Sequence, residues 1–580
     1  MQRYVKNCRI VSLPPSAKTP VNLTPEFYSA LDPDISSDGY YIIFSGKKNP
    51  QDYWQIWRMK ADGSEKTQIT KEAGDCVMPV FAGNRFYLDD PQPTPQIIYA
   101  GTAHCWKNNL EDGPVYALYG TDHQGKVIRR LTFNLYSDFS PDVLPNGRIV
   151  FSSMQPSYER ITPSLKLAFF AINNDGTDLM PFFGNHEPPV YKSDIRISHE
   201  DQRIYFIESD KTDFLGGGNI AYLSQRRPLH SYKKISQTAV GYYKSPAPLP
   251  GDGLLASYRT NHMDSVYALY TVNTATGECA KKIYGTTEWH CLDAQILAPY
   301  QPVKGKSNWL IPGAVNGVFY CLNSYQTNQD RATKINQGDF KFVRVIEGLA
   351  IDKDKSGPEN SNLTPFAPAR ILGIAPVEED GSFHVRVPAE IPVSFQMLDT
   401  HKMVLDRQKT WTWVIGNENR GCIGCHENKE LSPENKLVKA ITKPAVDLTT
   451  QVKERRTVDF KNQIAALIQK KCATSQCHIS GKALPVFETK QSFDVYNTLL
   501  QPIQDRTQEH YVLPGYAKQS PLIWHLFGKK LVNENIAYSS KISQMPPENP
   551  LSEEEKLLII EWIDMGAHWD LLSTDYISKD

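Results

Sequence analysis

The feature that most limits how this chain can fold is a repeat within its first 310 or so residues. "DPDISSDGYYIIFSG" (Asp32–Gly46) recurs as "SPDVLPNGRIVFSS" (Ser140–Ser153) and, more loosely, as "KSDIRISHEDQRIYFIES" (Lys192–Ser209). In the first two, Pro-Asp leads to Asp38-Gly39 or Asn146-Gly147 and then to an apolar strand. Asp-Gly and Asn-Gly suit two-residue hairpins, whose central residues both take positive φ. A second strand and turn follow in "RMKADGSEKTQIT" (Arg58–Thr70), "YGTDHQGKVIRRLT" (Tyr119–Thr132) and "FAINNDGTDLM" (Phe170–Met180). One such unit cannot bury its own apolar face, so neighbouring copies must stack. Repeats of roughly 40–55 residues with about four short strands each read as the blades of a β-propeller.

The repeat residues resemble those of TolB-like propellers, in which "SPD…DG…I.F.S" opens a blade and "DGS" closes a hairpin. Five or six blades are expected over residues 1–312. "TVNTATGECAKKIYG" (Thr271–Gly285) and "NWLIPGAVNGVFYCLN" (Asn308–Asn323) are the last candidates. A β-sandwich with coincidental hairpins is the competing reading.

The remaining 270 residues cannot belong to the same core. A chain of 580 residues exceeds what one ordinary core organises, so two to four domains are expected. Residues 313–440 read as a small middle β domain, because "ARILGIAPVEEDGSFHVRVPAEIPVSFQMLD" alternates apolar and polar residues across Asp380-Gly381. A polar, Lys-rich linker follows. Residues 457–580 read as helical. "TVDFKNQIAALIQKK" places Phe460, Ile464, Leu467 and Ile468 on one face, ending at Cys472. "LSEEEKLLIIEWIDMGAHW" opens with a capping box, Ser552 and Glu555, and stops at Gly566.

A net charge of −1 gives no global field that would draw nucleic acid or an anionic membrane. No apolar run approaches the roughly 20 residues that span a bilayer. "MQRYVKNCRIVSLPPSAKTP" lacks the apolar core of a signal peptide.

Two clusters carry the chemistry. "RGCIGCHENKE" contains Cys422, Cys425 and His426, and "KKCATSQCHIS" contains Cys472, Cys477 and His478. In Cys-x-x-Cys-His, two thiols add across the vinyl groups of a haem and the adjacent His supplies an axial imidazole. The first cluster has the tightest spacing; the second, with four residues between its cysteines, is a rarer variant. A helix before it, the loop "SQMPPENP" and a terminal helix carrying Trp562 resemble a class I cytochrome c, with Met545 as the loop ligand. His525 and His568 are alternatives to Met545. Two covalently bound haem c groups are expected. A zinc site built from the four cysteines would leave both histidines unexplained. Covalent haem attachment implies a periplasmic or otherwise extracytoplasmic protein, whose leader would have been removed or left out of this chain. In such a compartment Cys279 and Cys291 are a candidate disulfide pair. His104-Cys105 and His290-Cys291 could approach a ligand, although packed propeller histidines are commoner.

The propeller, "PVEEDGSF", "CIGCHE" and a terminal "WIDMGAHWD" together resemble the hydrazine synthase alpha subunit family over nearly the whole chain. That resemblance implies a propeller, a middle domain with a catalytic haem and a C-terminal domain with an electron-transfer haem. It also implies work within a larger complex that joins a reduced nitric oxide equivalent to ammonia. In the family, a tyrosine four residues after the first motif His binds the catalytic iron and frees that His for zinc. Glu430 stands at that position here, which leaves His426 for conventional axial binding. The family's second haem has two His ligands. The resemblance thus implies a haem oxidoreductase acting on a small nitrogen species, with the C-terminal haem relaying electrons to it from a redox partner. The alternative is an electron-transfer cytochrome whose propeller docks a partner and which catalyses nothing itself.

Overall fold

The computed structural model describes residues 6–571 except 16, 104–112, 158–163, 185–190, 211–216, 238–240, 252, 263–264, 328–333, 351–363, 426–431, 475–476, 481, 483–484, 488–490, 504–508, 533–535 and 537. The chain forms two compact units, whose main boundary lies between Leu310 and Ile311.

Five sheets form the body of the first unit: four are four-stranded and antiparallel, and the one that starts at Cys76–Phe86 has four antiparallel strands and a fifth, parallel one, Lys306–Ser307. The first consists of Ser29–Ile35, Tyr41–Lys47, Gln55–Lys60 and Thr67–Gln68, and the fifth runs from Gly241–Pro248 to Cys279–Tyr284. Thr271–Gly285, expected as a late blade, supplies the outer edge of that fifth sheet. Each sheet's leading strand breaks register at one residue with positive φ: Asp32 (52°), Met78 (53°), Ser140 (50°), Asp194 (52°) and Ser245 (47°). These bulges turn polar atoms toward the neighbouring blade. Asp32 Oδ2 accepts the Met78 N–H at 3.2 Å, and Asp194 Oδ2 accepts the Ser245 N–H at 3.2 Å. Asp34 and Asp142, two residues beyond their bulges, accept the N–H groups of Phe81 (2.8 Å) and Ile197 (3.0 Å). The repeated Pro-Asp is therefore a blade-to-blade stitch.

A sixth equivalent residue, Asp293 (φ 53°), has no sheet of its own, and its Oδ1 accepts the Ser245 hydroxyl at 2.8 Å. All six positions line one central cavity, which makes the arrangement circular. Beyond Asp293 the chain crosses to other blades. Tyr300 N–H donates to Ser37 O (2.8 Å), Lys304 N–H to Pro145 O (3.0 Å), and Lys306–Ser307 pairs in parallel with Arg85 and Phe86. The sixth position is thus filled by a single segment.

Two expectations are corrected here. At the Asp-Gly and Asn-Gly turns only glycine takes positive φ, Gly39 at 71° and Gly147 at 81°. Gly39 N–H donates to Ser36 O and Ser36 N–H to Tyr41 O, a wider turn than the two-residue hairpin. The other concerns Asn308–Asn323, which is not a blade. Its strand, Asn316–Cys321, lies between Phe383–Pro388 (antiparallel) and Asn419–Cys422 (parallel) in the second unit. Its alternating face, with Phe319 and Cys321 buried, belongs to that core.

The second unit contains two four-stranded sheets around one core. One sheet has the order Asn419–Cys422, Asn316–Cys321, Phe383–Pro388, Val446–Asp447. The other has the order Ala369–Pro376, Phe342–Gly348, Val393–Leu398, Val404–Arg407. A helical part follows. A wide turn, Phe460–Ile464, capped by Asp459, leads into α1 (Ala465–Lys471); α2 (Ser492–Leu500), α3 (Pro521–Phe527) and α4 (Glu553–Asp564) follow. Phe460, Ile464, Leu467 and Ile468 are all buried, as their spacing requires. The capping box is present: Ser552 Oγ accepts the Glu555 N–H, and the Glu555 carboxylate accepts the Ser552 N–H. Trp562 is fully buried against Phe460 and Tyr496, and its Nε1 donates to His568 O at 3.0 Å.

Polar side chains tie the second sheet to α4. Arg344 donates to Gln396 Oε1 (2.9 Å) and faces Glu561 at 3.7 Å; Gln396 Nε2 reaches Asp564 O at 3.1 Å. Among the described residues no helix is long and apolar enough to cross a membrane.

Candidate functional site

Cys422 is the last residue of a strand pairing in parallel with Asn316–Cys321, in register with Cys321. Beyond it the two chains continue side by side. Leu322 N–H donates to Cys422 O (2.9 Å), Asn323 N–H to Ile423 O (3.1 Å) and Cys425 N–H to Gln326 O (2.9 Å). Gly424 permits this approach, because a Cβ there would lie 2.5 Å from Gln326 O. The companion loop is itself braced: Tyr325 stacks on Phe340 at 4.7 Å, and its hydroxyl accepts the N–H groups of Gly338 and Phe340. Both cysteines are half-buried, and Cys422 packs against the core. His426 and Glu430 lie outside the described residues.

The second cluster begins where α1 ends. Cys472 is the C-cap residue, its N–H donating to Ile468 O at 2.8 Å, and His478 N–H closes back on Cys472 O at 3.1 Å. Across the four-residue gap, Cys477 N–H donates to Thr474 O at 2.9 Å. Burial pushes the Cys472 thiol up to about 11, Cys477 adds to the rise, and Lys471 opposes it. A thiol in that state is held protonated.

His478 Nδ1 lies 2.8 Å from the Pro485 carbonyl oxygen. A carbonyl can only accept, so Nδ1 carries the proton and the lone pair sits on Nε2. The ring packs on Phe487 at 5.0 Å. Burial chiefly lowers the His478 pKa; the His525 imidazole, close enough to act on it electrostatically, adds to the fall, and the Pro485 bond opposes it. His525, in the last turn of α3, has the same arrangement. Its Nδ1 lies 3.0 Å from Ser543 O, so its lone pair is also on Nε2, where the Tyr538 hydroxyl approaches to 2.8 Å. Met545 N–H donates to His525 O at 2.8 Å, which puts both distal candidates in one place.

The third candidate, His568, lies elsewhere. It is 8% exposed, with Nε2 beside Gly566, and burial holds its pKa down to about 4. The candidate disulfide does not form, since the Cys279 thiol meets Tyr243 Oη at 3.6 Å rather than Cys291, and His290 Nδ1 accepts the Tyr267 N–H at 3.0 Å, as the commoner packed propeller histidine does. His104 and Cys105 lie outside the described residues.

The donor set at the second cluster fits a c-type haem. Two thiols and one imidazole of fixed tautomer meet at the end of a helix, with a second imidazole of the same tautomer within electrostatic reach. The residues that sequence reasoning missed are Pro485, Ser543 and Tyr538. The first two act through backbone carbonyls and carry no sequence signal, and Tyr538 sits 13 residues from its partner.

Residues 333–427 match the family model described as the hydrazine synthase alpha subunit middle domain. The hydrazine synthase subunit alpha of Kuenenia stuttgartiensis is 25% identical over 97% of this chain and 88% of its own length. The solved structure of Kuenenia stuttgartiensis hydrazine synthase superposes with a TM-score of 0.85, at 23% identity, over 97% of this chain and 91% of that one. In sequence along nearly its whole length, in the family's middle domain and in fold, the chain is similar to the hydrazine synthase alpha subunit.

Proposed function

We propose that this chain is an exported dihaem c-type cytochrome of the hydrazine synthase alpha type, a subunit of a redox complex acting on a small nitrogen species. The observation that carries this reading is the pair of matched imidazoles. His478 and His525 each have Nδ1 engaged by a backbone carbonyl, which leaves the lone pair on Nε2. Ligating histidines characteristically hold their second nitrogen in this way, which fixes the ring and raises its basicity.

Cys472 and Cys477 would hold the C-terminal haem, and His478 and His525 would bind its iron. His525 is preferred to Met545 because its imidazole acts on His478 and its tautomer is already set. Cys422 and Cys425 would hold the other haem with His426. Haem supplies a redox-active iron to each site. The chain's own part is to set tautomers, bury the thiols and keep the first motif rigid through the ladder from Leu322 to Cys425. Export follows from the chemistry of attachment, which takes place outside the cytoplasm.

The test is the mass of the denatured protein after expression with a cytochrome c maturation system. Two haems should persist through denaturation, and replacing Cys422 and Cys425 by Ala should remove one of them. A bare polypeptide mass would end the reading. Carbon monoxide added to the reduced protein then separates the two possible roles, because only an iron with an exchangeable position can bind it. Binding at one haem supports the enzyme; binding at neither supports an electron carrier.

A further inference from the structure

A small cavity, partly open to solvent, lies between the sheet bearing Ser394 and Gln396 and the C-terminal end of α4. Phe366, Arg407, Lys409, Trp411 and Asp564 help to line it. None of these residues belongs to either cysteine motif.

Two hydrogen-bond donors are stranded here. Trp411 is 5% exposed, yet its indole Nε1 has no hydrogen-bond partner among the described residues, and neither has Arg407 Nη2. Buried donors are nearly always satisfied, so two on the wall of one cavity indicate a missing acceptor. The guanidinium is held in place. Its centre lies 4.9 Å from the Phe366 ring and 5.1 Å from the Tyr516 ring, and Nη1 reaches Asp564 O at 3.4 Å. The Asp564 carboxylate does not serve these donors, because it accepts the N–H groups of Ala517 and Val404, each at 3.0 Å. Lys409 is exposed beside them.

We propose that this cavity binds a small planar oxyanion of the nitrate or formate type, through Arg407 Nη2 and Trp411 Nε1, with Lys409 drawing it in. A planar oxyanion offers several acceptors in one plane, which suits a fixed guanidinium and a separate N–H, and its bonds to Arg407 are charge-assisted. The inference does not depend on whether haem is bound.

Calorimetric titration of the full-length holoprotein with sodium nitrate, and separately with sodium formate, tests it. Saturable one-to-one binding is expected for at least one anion, with the other competing. Trp411→Phe removes the N–H together with the indole's five-membered ring and should weaken binding severalfold; Arg407→Gln should weaken it at least tenfold; Lys409→Gln should weaken it less. If Arg407→Gln does not fold, the other two variants decide, since Lys409 is exposed and Phe keeps most of the indole's packing. No saturable uptake of either anion, or wild-type affinity in both Trp411→Phe and Lys409→Gln, overturns the proposal.

Discussion

Arg344 and Glu561 face one another at 3.7 Å with both side chains fully buried, one on the second sheet and the other on α4. Arg456, half exposed, closes on the same carboxylate at 2.5 Å. Glu561→Gln should leave Arg344 buried with Asp564 as the remaining carboxylate acting on it. Breaking such a pair by removing one partner typically costs about 3–5 kcal/mol. Denaturant unfolding should show a loss of this size, and adding Arg344→Met should restore part of it. Full additivity of the two substitutions would show that the pair is not coupled.

The propeller should be more stable in mild acid than at neutral pH. Burial raises Asp138 to about 7 and Asp34 to about 7, against an ordinary 3.8. For Asp138, bonds from Ser153 and Asn134 oppose the rise; for Asp34, Arg196 does so most strongly. A carboxyl whose pKa is higher folded than unfolded binds more protons in the native state between those two values. Stability must therefore fall as pH rises from about 4 to about 7. Asp138→Asn should flatten that slope and gain up to a few kcal/mol above pH 7. An unchanged pH profile would exclude Asp138 as a source.

Gly424→Ala should damage the first cysteine motif while sparing the second. The added Cβ would meet Gln326 O at 2.5 Å, where the bond from Cys425 N–H now lies. One covalently retained haem instead of two is expected, with the loss at Cys422 and Cys425. Peptide mapping of the denatured protein would show which cysteines remain modified.

What could be read in the sequence was whatever depends on residue type at fixed spacing. Pro-Asp marked the inner strands, because the same stitch recurs from blade to blade. Ser552 and Glu555 marked the start of α4, since a capping box is a local device. The blade count was not legible, because Asp293 occupies a sixth inner position without a Pro-Asp or a following hairpin. Asn316–Cys321 was misplaced because its alternation is that of any half-buried strand; its partners, Phe383–Pro388 and Asn419–Cys422, lie about 60 to 100 residues away in the chain. Met545 was favoured over His525 from loop composition. The carbonyls that fix the histidine tautomers are backbone groups and have no composition.

The axial pair gives the sharpest remaining prediction. His525 and Met545 are joined by a backbone bond, so either substitution disturbs the same place, and spectroscopy must separate ligand loss from displacement. With His478 and His525 as ligands, the oxidised protein should lack the weak near-infrared band of a sulfur–iron bond. Met545→Ala should then leave the potential of both haems nearly unchanged. His525→Ala should open one iron to carbon monoxide, and added imidazole should restore its spectrum. Tyr538→Phe separates ligation from packing, because it removes the hydroxyl at His525 Nε2 and keeps the ring. That variant should keep the six-coordinate spectrum. A near-infrared band in the wild type that disappears in Met545→Ala would instead assign the thioether, with a higher reduction potential than a bis-histidine site.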